Sequence, residues 1–296
     1  MQTSSQPSPL AAAAVAGVTD AALRQVLADH WEYRMRWAPT WATTLGDHRY
    51  DDRLAPRDAA SIGVAEAEHE AIGLRAAALD TARMGEVDRV TALLLRGMLE
   101  AEHAMYVCKF HEWNVDSASA SEFGALSYLV EAHTVKSPQD AANLIARMAQ
   151  GARQIDDVIA NLRIGLTGGR VAAAEKVRRA IDQLDKELAR PVESWAMATP
   201  EWAKPPSADT WPAGQRERLG RALHDVVATQ ARPAFERLRA FLRDTLLPRA
   251  RGDKEGLVGI PGGDECYRAS IFYHVGLVKT PEELHALGRE EIARTD

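Results

Sequence analysis

The chain has only two cysteines, no long apolar run and no excess of positive charge, and each of these absences removes a class of function. Cys108 and Cys266 lie far apart and belong to no Cys-x-x-Cys unit, so neither a disulfide framework nor a thiolate zinc site is indicated; both are expected to be small core residues. No stretch approaches the roughly 18 apolar residues that a membrane-spanning helix needs, since the longest candidate, Leu10 to Val18, is mostly alanine. Acidic side chains outnumber basic ones by 42 to 36, so no basic field attracts a phosphate backbone and nucleic acid is not an expected partner. Strand-like alternation is nowhere sustained.

What is present is helical periodicity in a chain of 296 residues, 46% of them hydrophobic, enough to bury a substantial core. The expectation is an all-α, multi-helix array. Residues 1–18 are rich in Ser, Pro and Ala but lack the basic segment of an export signal, so they read as a disordered leader and the chain as cytoplasmic. An incomplete N-terminus would leave a periplasmic or secreted location open.

Residues 19–190 read as one helical region. Within it Val87, Val90, Leu94, Met98, Ala101, Met105 and Cys108 recur at three- and four-residue steps, which predicts one helix with that stripe in the core. Ser137-Pro138-Gln139-Asp140 predicts a helix start, with a capping serine, proline at the first helical position and a carboxylate facing the positive end of the helix dipole. That helix should end at Gly168-Gly169, with another over 172–188. Residues 191–212 form a proline-rich connector carrying Trp195, Trp202 and Trp211. A second helical region, 213–296, should bend at Pro233 and contain a turn at Gly259-Ile260-Pro261-Gly262-Gly263. Its last helix starts with the capping box Thr280-Pro281-Glu282-Glu283 and reaches Asp296 without a helix-ending signal, as a chain cut from something longer would.

No complete catalytic or metal motif is present. A helical zinc site needs two histidines four residues apart with a glutamate after the first. His69-Glu70 and His111-Glu112 open that pattern, but neither has the second histidine. Glu66 with His69, Glu100 with His103 and Glu282 with His285 repeat the Glu-x-x-His spacing of di-iron bundles, which makes iron or manganese carboxylate chemistry through Glu66, His69, Glu100 and His103 an alternative reading. Asp47-His48-Arg49-Tyr50-Asp51-Asp52-Arg53 packs charges into a loop after helical residues bearing Trp31, Tyr33, Trp37 and Trp41. It serves either an ion-pair network that ties the helix down or contact with substrate.

The stretch Leu45 to Leu54 resembles the opening signature of the bacterial domain of unknown function 885 (DUF885) family, and three later stretches agree in order: Ile155 to Arg170, Leu257 to Tyr267 and Thr280 to Ile292. The resemblance runs from about Trp31 to the last residue. It implies a helical, gluzincin-like zinc metallopeptidase with carboxypeptidase-like or oligopeptidase-like activity, whose motif His-Glu-x-x-Pro-Gly-His-His lies in a C-terminal half beyond Asp296. By this resemblance no catalytic or metal residue is carried by the present chain, and zinc belongs to the complete family protein. The chain would form a cleft wall, with the missing C-terminal half or a peptide substrate as partner, and Tyr267, His274, Asp47, His48 and Arg49 as wall residues. Where relatives usually read His-Thr, this chain has His274-Val275. The alternative from another class is a non-catalytic helical interaction module.

Overall fold

A computed structural model describes residues 9–118, 121–204, 210–252 and 256–295. Among these the chain is all-α, with no strand and a single isolated bridge between Ala173 and Arg251. The longer helices are α1 (Pro9–Ala14), α2 (Ala21–Trp37), α3 (Pro39–Leu45), α4 (Ala59–Ala77), α5 (Glu86–Ala104), α6 (Phe110–Trp113), α7 (Glu122–Ala132), α8 (Pro138–Thr167), α9 (Ala174–Leu188), α10 (Gln215–Val226), α11 (Arg232–Phe241), α12 (Gly263–Val275) and α13 (Pro281–Thr295). Contacts divide the chain into two compact units, the first comprising residues 1–33, 63–110 and 255–296 and the second 34–62 and 111–254.

The expected starts and stops are present. Ser137 accepts a hydrogen bond from Asp140 N, the Asp140 carboxylate accepts from Ser137 N, and α8 runs to Thr167 before Gly168. Thr280 and Glu283 cap α13 in the same reciprocal way. Pro233 stands inside a helical path that continues past it, as expected. A π-helical turn, Val227–Ala231, precedes it and widens the ladder, so the helical path runs on through α11 into a second such turn at Leu242–Leu246. The glycine turn ends at Gly262, whose φ of +75° caps α12, and a Cβ on Gly263 would lie 1.7 Å from Leu257 O, which only glycine avoids.

The second unit holds the larger core. Leu144, Met148, Ile155 and Leu162 of α8 pack with Val177, Ile181 and Leu184 of α9 and with Phe235 and Leu238 of α11. Trp195 sits at its centre, 1% exposed, with the Phe123 and Phe235 rings 5.1 and 6.1 Å away and its indole N–H donating to Glu187 O at 3.1 Å. Trp211 donates to Lys136 O and stacks on Trp202.

In the first unit three expectations change. The leader is helical from Pro9 to Ala14, with Ala11 and Val18 buried; residues 1–8 and Asp296 lie outside the described residues. The stripe Val87, Val90, Leu94 and Met98 is exposed, between 42 and 70%, while α5 buries Asp88, Ala92, Leu95 and Leu99. Asp88 explains the choice of face: its carboxylate accepts from Thr19 N, Thr19 Oγ1 and Asp20 N just ahead of α2, and these bonds hold it below the ordinary carboxylate range. A capping carboxylate thus turns α5 by about one residue from its most apolar stripe. Finally, Cys108 and Cys266 are not free core thiols but form a disulfide with a Cα separation of 4.6 Å, joining the 3-10 turn Met105–Cys108 to α12.

Candidate functional site

In the second unit the charged loop is built around Arg147 of α8, which is fully buried. Its Nε donates to Arg53 O at 2.9 Å, and Nη2 donates to Pro39 O and Tyr50 O, both at 3.0 Å, and to Thr43 Oγ1 at 2.8 Å. Nη1 lies 3.0 Å from His133 Nδ1, whose Nε2 lies 2.9 Å from Asp140 O. Asp51, 6% exposed, is the nearest carboxylate: its Oδ1 accepts from Thr43 Oγ1 at 2.6 Å and lies 3.6 Å from Arg147 Nη2. Burial pulls the Arg147 pKa down, and burial together with the Arg147 charge pulls His133 below its ordinary value, so His133 is held neutral as an acceptor.

Three further polar residues on α8 extend this seam. Gln150 bonds Leu54 N and Asp52 O, Gln154 donates to Ala55 O and Asn161 donates to Arg57 O. Positions 147, 150, 154 and 161 follow the helical repeat, so one polar face of α8 holds the loop backbone from Tyr50 to Arg57. Sequence reasoning missed this set because it followed the apolar stripe of the same helix.

Of the five cleft-wall candidates, Asp47 and Arg49 close on one another. Asp47 is 3% exposed, its Oδ1 accepting from Arg49 Nε at 2.9 Å and Oδ2 from Arg49 Nη2 at 2.6 Å. The His48 ring is exposed, with Nδ1 2.8 Å from Asp51 Oδ2. In the first unit, Tyr267 is 44% exposed and lines a wide, shallow depression with Pro281, His285 and Arg289 of α13, while His274 lies exposed near the end of α12 with its ring against Tyr273. The loop and the α12 candidates fall in different units.

The Glu-x-x-His residues are arranged otherwise than a di-iron site requires. His69, 2% exposed, pairs through Nε2 with Glu102 at 2.9 Å and sits against the Tyr33 and Tyr106 rings. Burial, with Tyr33 and the Glu66 and Glu102 charges nearby, pushes the Tyr106 hydroxyl far above its ordinary range. Glu100, His103, Glu282 and His285 are exposed. No three His, Cys, Asp or Glu side chains among the described residues are grouped to hold a metal, so the set Glu66, His69, Glu100 and His103 does not form a di-iron centre. The second near-motif is committed elsewhere in its unit, with Glu112 buried and accepting from Arg170 Nε at 2.5 Å.

The family model described as "Bacterial protein of unknown function (DUF885)" matches residues 39–296. The chain belongs to the DUF885 family. This DUF885 chain is similar in fold to the crystal structure of the "putative lipoprotein from Colwellia psychrerythraea", with a TM-score of 0.76 at 15% identity over 93% of the present chain and 50% of the other. The chain thus spans about half the length of that protein. No curated protein matches it. Among the described residues no helix is long and apolar enough to cross a membrane.

Proposed function

We propose that this chain works as the N-terminal, cleft-forming part of a zinc-dependent peptidase, with metal and chemistry supplied by a C-terminal half. The observation that carries the reading is the uneven distribution of exposed apolar side chains. Of the 21 large hydrophobics exposed among the described residues, all but Trp41, Leu45, Tyr128 and Ile164 belong to the first unit. Soluble surfaces seldom leave so much apolar area uncovered without a partner. The Colwellia psychrerythraea protein of similar fold is matched over 50% of its own length, so it has further chain beyond the matched part.

The residues here do not fit zinc as its holders, because no group of three ligating side chains occurs among those described. The chain's own contribution is shape: α12 and α13 supply Tyr267, His274 and the depression beside them, and the Arg147 seam holds the loop at Asp47, His48 and Arg49. The Cys108–Cys266 disulfide supports a place of action in an oxidising compartment, where such a bond persists.

The test is expression of the whole reading frame of the gene, followed by measurement of zinc stoichiometry and hydrolysis of a peptide library. The reading expects a downstream His-Glu-x-x-Pro-Gly-His-His, one zinc per chain, peptide cleavage, and weaker binding of an apolar dye than by residues 1–296 alone. A reading frame without that motif, or a longer protein that binds zinc but cleaves no peptide, would overturn it. In that case the non-catalytic interaction module takes its place.

A further inference from the structure

Helix α5 has two faces with opposite fates. One buries Asp88, Ala92, Leu95 and Leu99, and the other displays Val87, Val90, Leu93, Leu94 and Met98, each between 42 and 70% exposed. These five recur along one side of the helix, so they form a continuous apolar ridge about three turns long, not scattered surface positions. A Cβ placed on Gly97, within the ridge, would meet nothing within 4 Å, so the space above it is open to another helix.

The charges beside the ridge select what can cover it. Arg89 and Glu100 stand about three turns apart, so they border the ridge on the same flank. Both are exposed, and neither has an ion-pair partner among the described residues. Two copies of α5 packed antiparallel about a two-fold axis at Leu94 would set Val90 of one against Met98 of the other. The same arrangement brings Arg89 of each copy into register with Glu100 of the other to within about 1.5 Å along the axis, the rise of one residue. A parallel pair would instead oppose Arg89 to Arg89 and Glu100 to Glu100, which like-charge repulsion disfavours.

We propose that the outward ridge of α5 is a self-association surface on which a second copy of this chain docks its own α5 antiparallel, Arg89 of each meeting Glu100 of the other. A two-fold interface requires one patch that is complementary to itself, and a ridge that is apolar along its length with opposite charges on one flank has that property. The inference concerns α5 alone. It leaves α12 and α13 to further chain and holds whether or not the whole protein cuts peptides.

The test is sedimentation of the product of the whole reading frame at concentrations up to about 100 µM, with circular dichroism to confirm that each variant is folded. A dimer is expected, and Leu94→Glu should raise its dissociation constant about tenfold or more, because two carboxylates would be buried against each other on the axis. Arg89→Glu and Glu100→Arg should each weaken the dimer about fivefold, and the two together should restore it, since the exchanged charges meet again. Cys108 and Cys266 are bonded to each other, so Leu94→Cys supplies a single free thiol, which should cross-link two copies under mild oxidation. A monomer throughout this range overturns the proposal, and so does a dimer that tolerates Leu94→Glu or that the double charge exchange fails to restore. A new thiol shielded from labelling in a monomeric protein overturns it too, and assigns the ridge to the further chain. None of these results bears on the zinc and cleavage assays, which succeed or fail separately.

Discussion

Among the described residues, the second unit buries three times as many apolar residues in its main cluster as the first does, thirty against ten, although it is less than twice as long. It also carries few of the exposed large hydrophobics, whereas the first unit displays Val87, Val90, Leu94 and Met98 along one helix and Tyr267, Tyr273, Val275 and Leu277 along another stretch. The second unit is closed by its own residues. The first is held by a thin core, a capping carboxylate and one covalent link.

The sharpest way to break the comparison is at Arg147. Arg147→Met removes the bonds to Pro39 O, Tyr50 O, Arg53 O and Thr43 Oγ1 and leaves Asp51 buried without its cation, so a loss of about 3–5 kcal/mol is expected in urea unfolding. The loss should fall on the second unit, followed through fluorescence of the buried Trp195. An unchanged midpoint would mean that the seam is ornamental.

The disulfide tests the other side. Reduction, or the Cys108→Ser and Cys266→Ser pair, should cost about 2–4 kcal/mol, confined to the first unit, with hydrogen exchange rising in α12 and the Met105–Cys108 turn while α8 stays protected. Exchange rising equally in α8 would show that the two units are not separable in stability.

A smaller effect should appear with pH. The folded-state pKa of His133 lies below its unfolded value, so the unfolded chain binds the extra proton first. Stability from this group is complete above the unfolded value of about 6.5 and is lost as pH falls below it. His133→Gln should flatten the slope of urea midpoint against pH between about 6.5 and 5, and an unaltered slope would assign the dependence elsewhere.

The smallest expected change compares two neighbours on α5. Leu94→Glu, on the exposed stripe, should move stability by no more than about 0.5 kcal/mol, whereas Leu95→Ala on the buried face should cost about 2–5 kcal/mol. The same Leu94→Glu change should reduce apolar dye binding. A large loss from Leu94→Glu would mean that the stripe is covered within this chain.

Helix class, and several helix ends, were legible because they depend on neighbours in sequence. Ser137 and Asp140, or Thr280 and Glu283, meet within one turn, so their pattern is their geometry. The π-turns before and after α11 escaped because the sequence marks only the proline, and whether the ladder widens around it depends on packing. The four-position polar face of α8 was written in the same periodicity as its apolar stripe, yet its partner was a loop backbone about a hundred residues away.

Sequence alone thus determined that the chain is helical, where α8 and α13 begin, and which family its motifs resemble, because those rest on local chemistry and on ordered motifs. Tertiary structure decided the rest. The two cysteines, 158 residues apart, became partners only when α12 met the end of α5, and α5 turned its Asp88 inward because the N-terminus of α2 lay there to be capped. Periodicity names two possible faces for a helix, and the choice between them belongs to whatever the rest of the chain brings alongside.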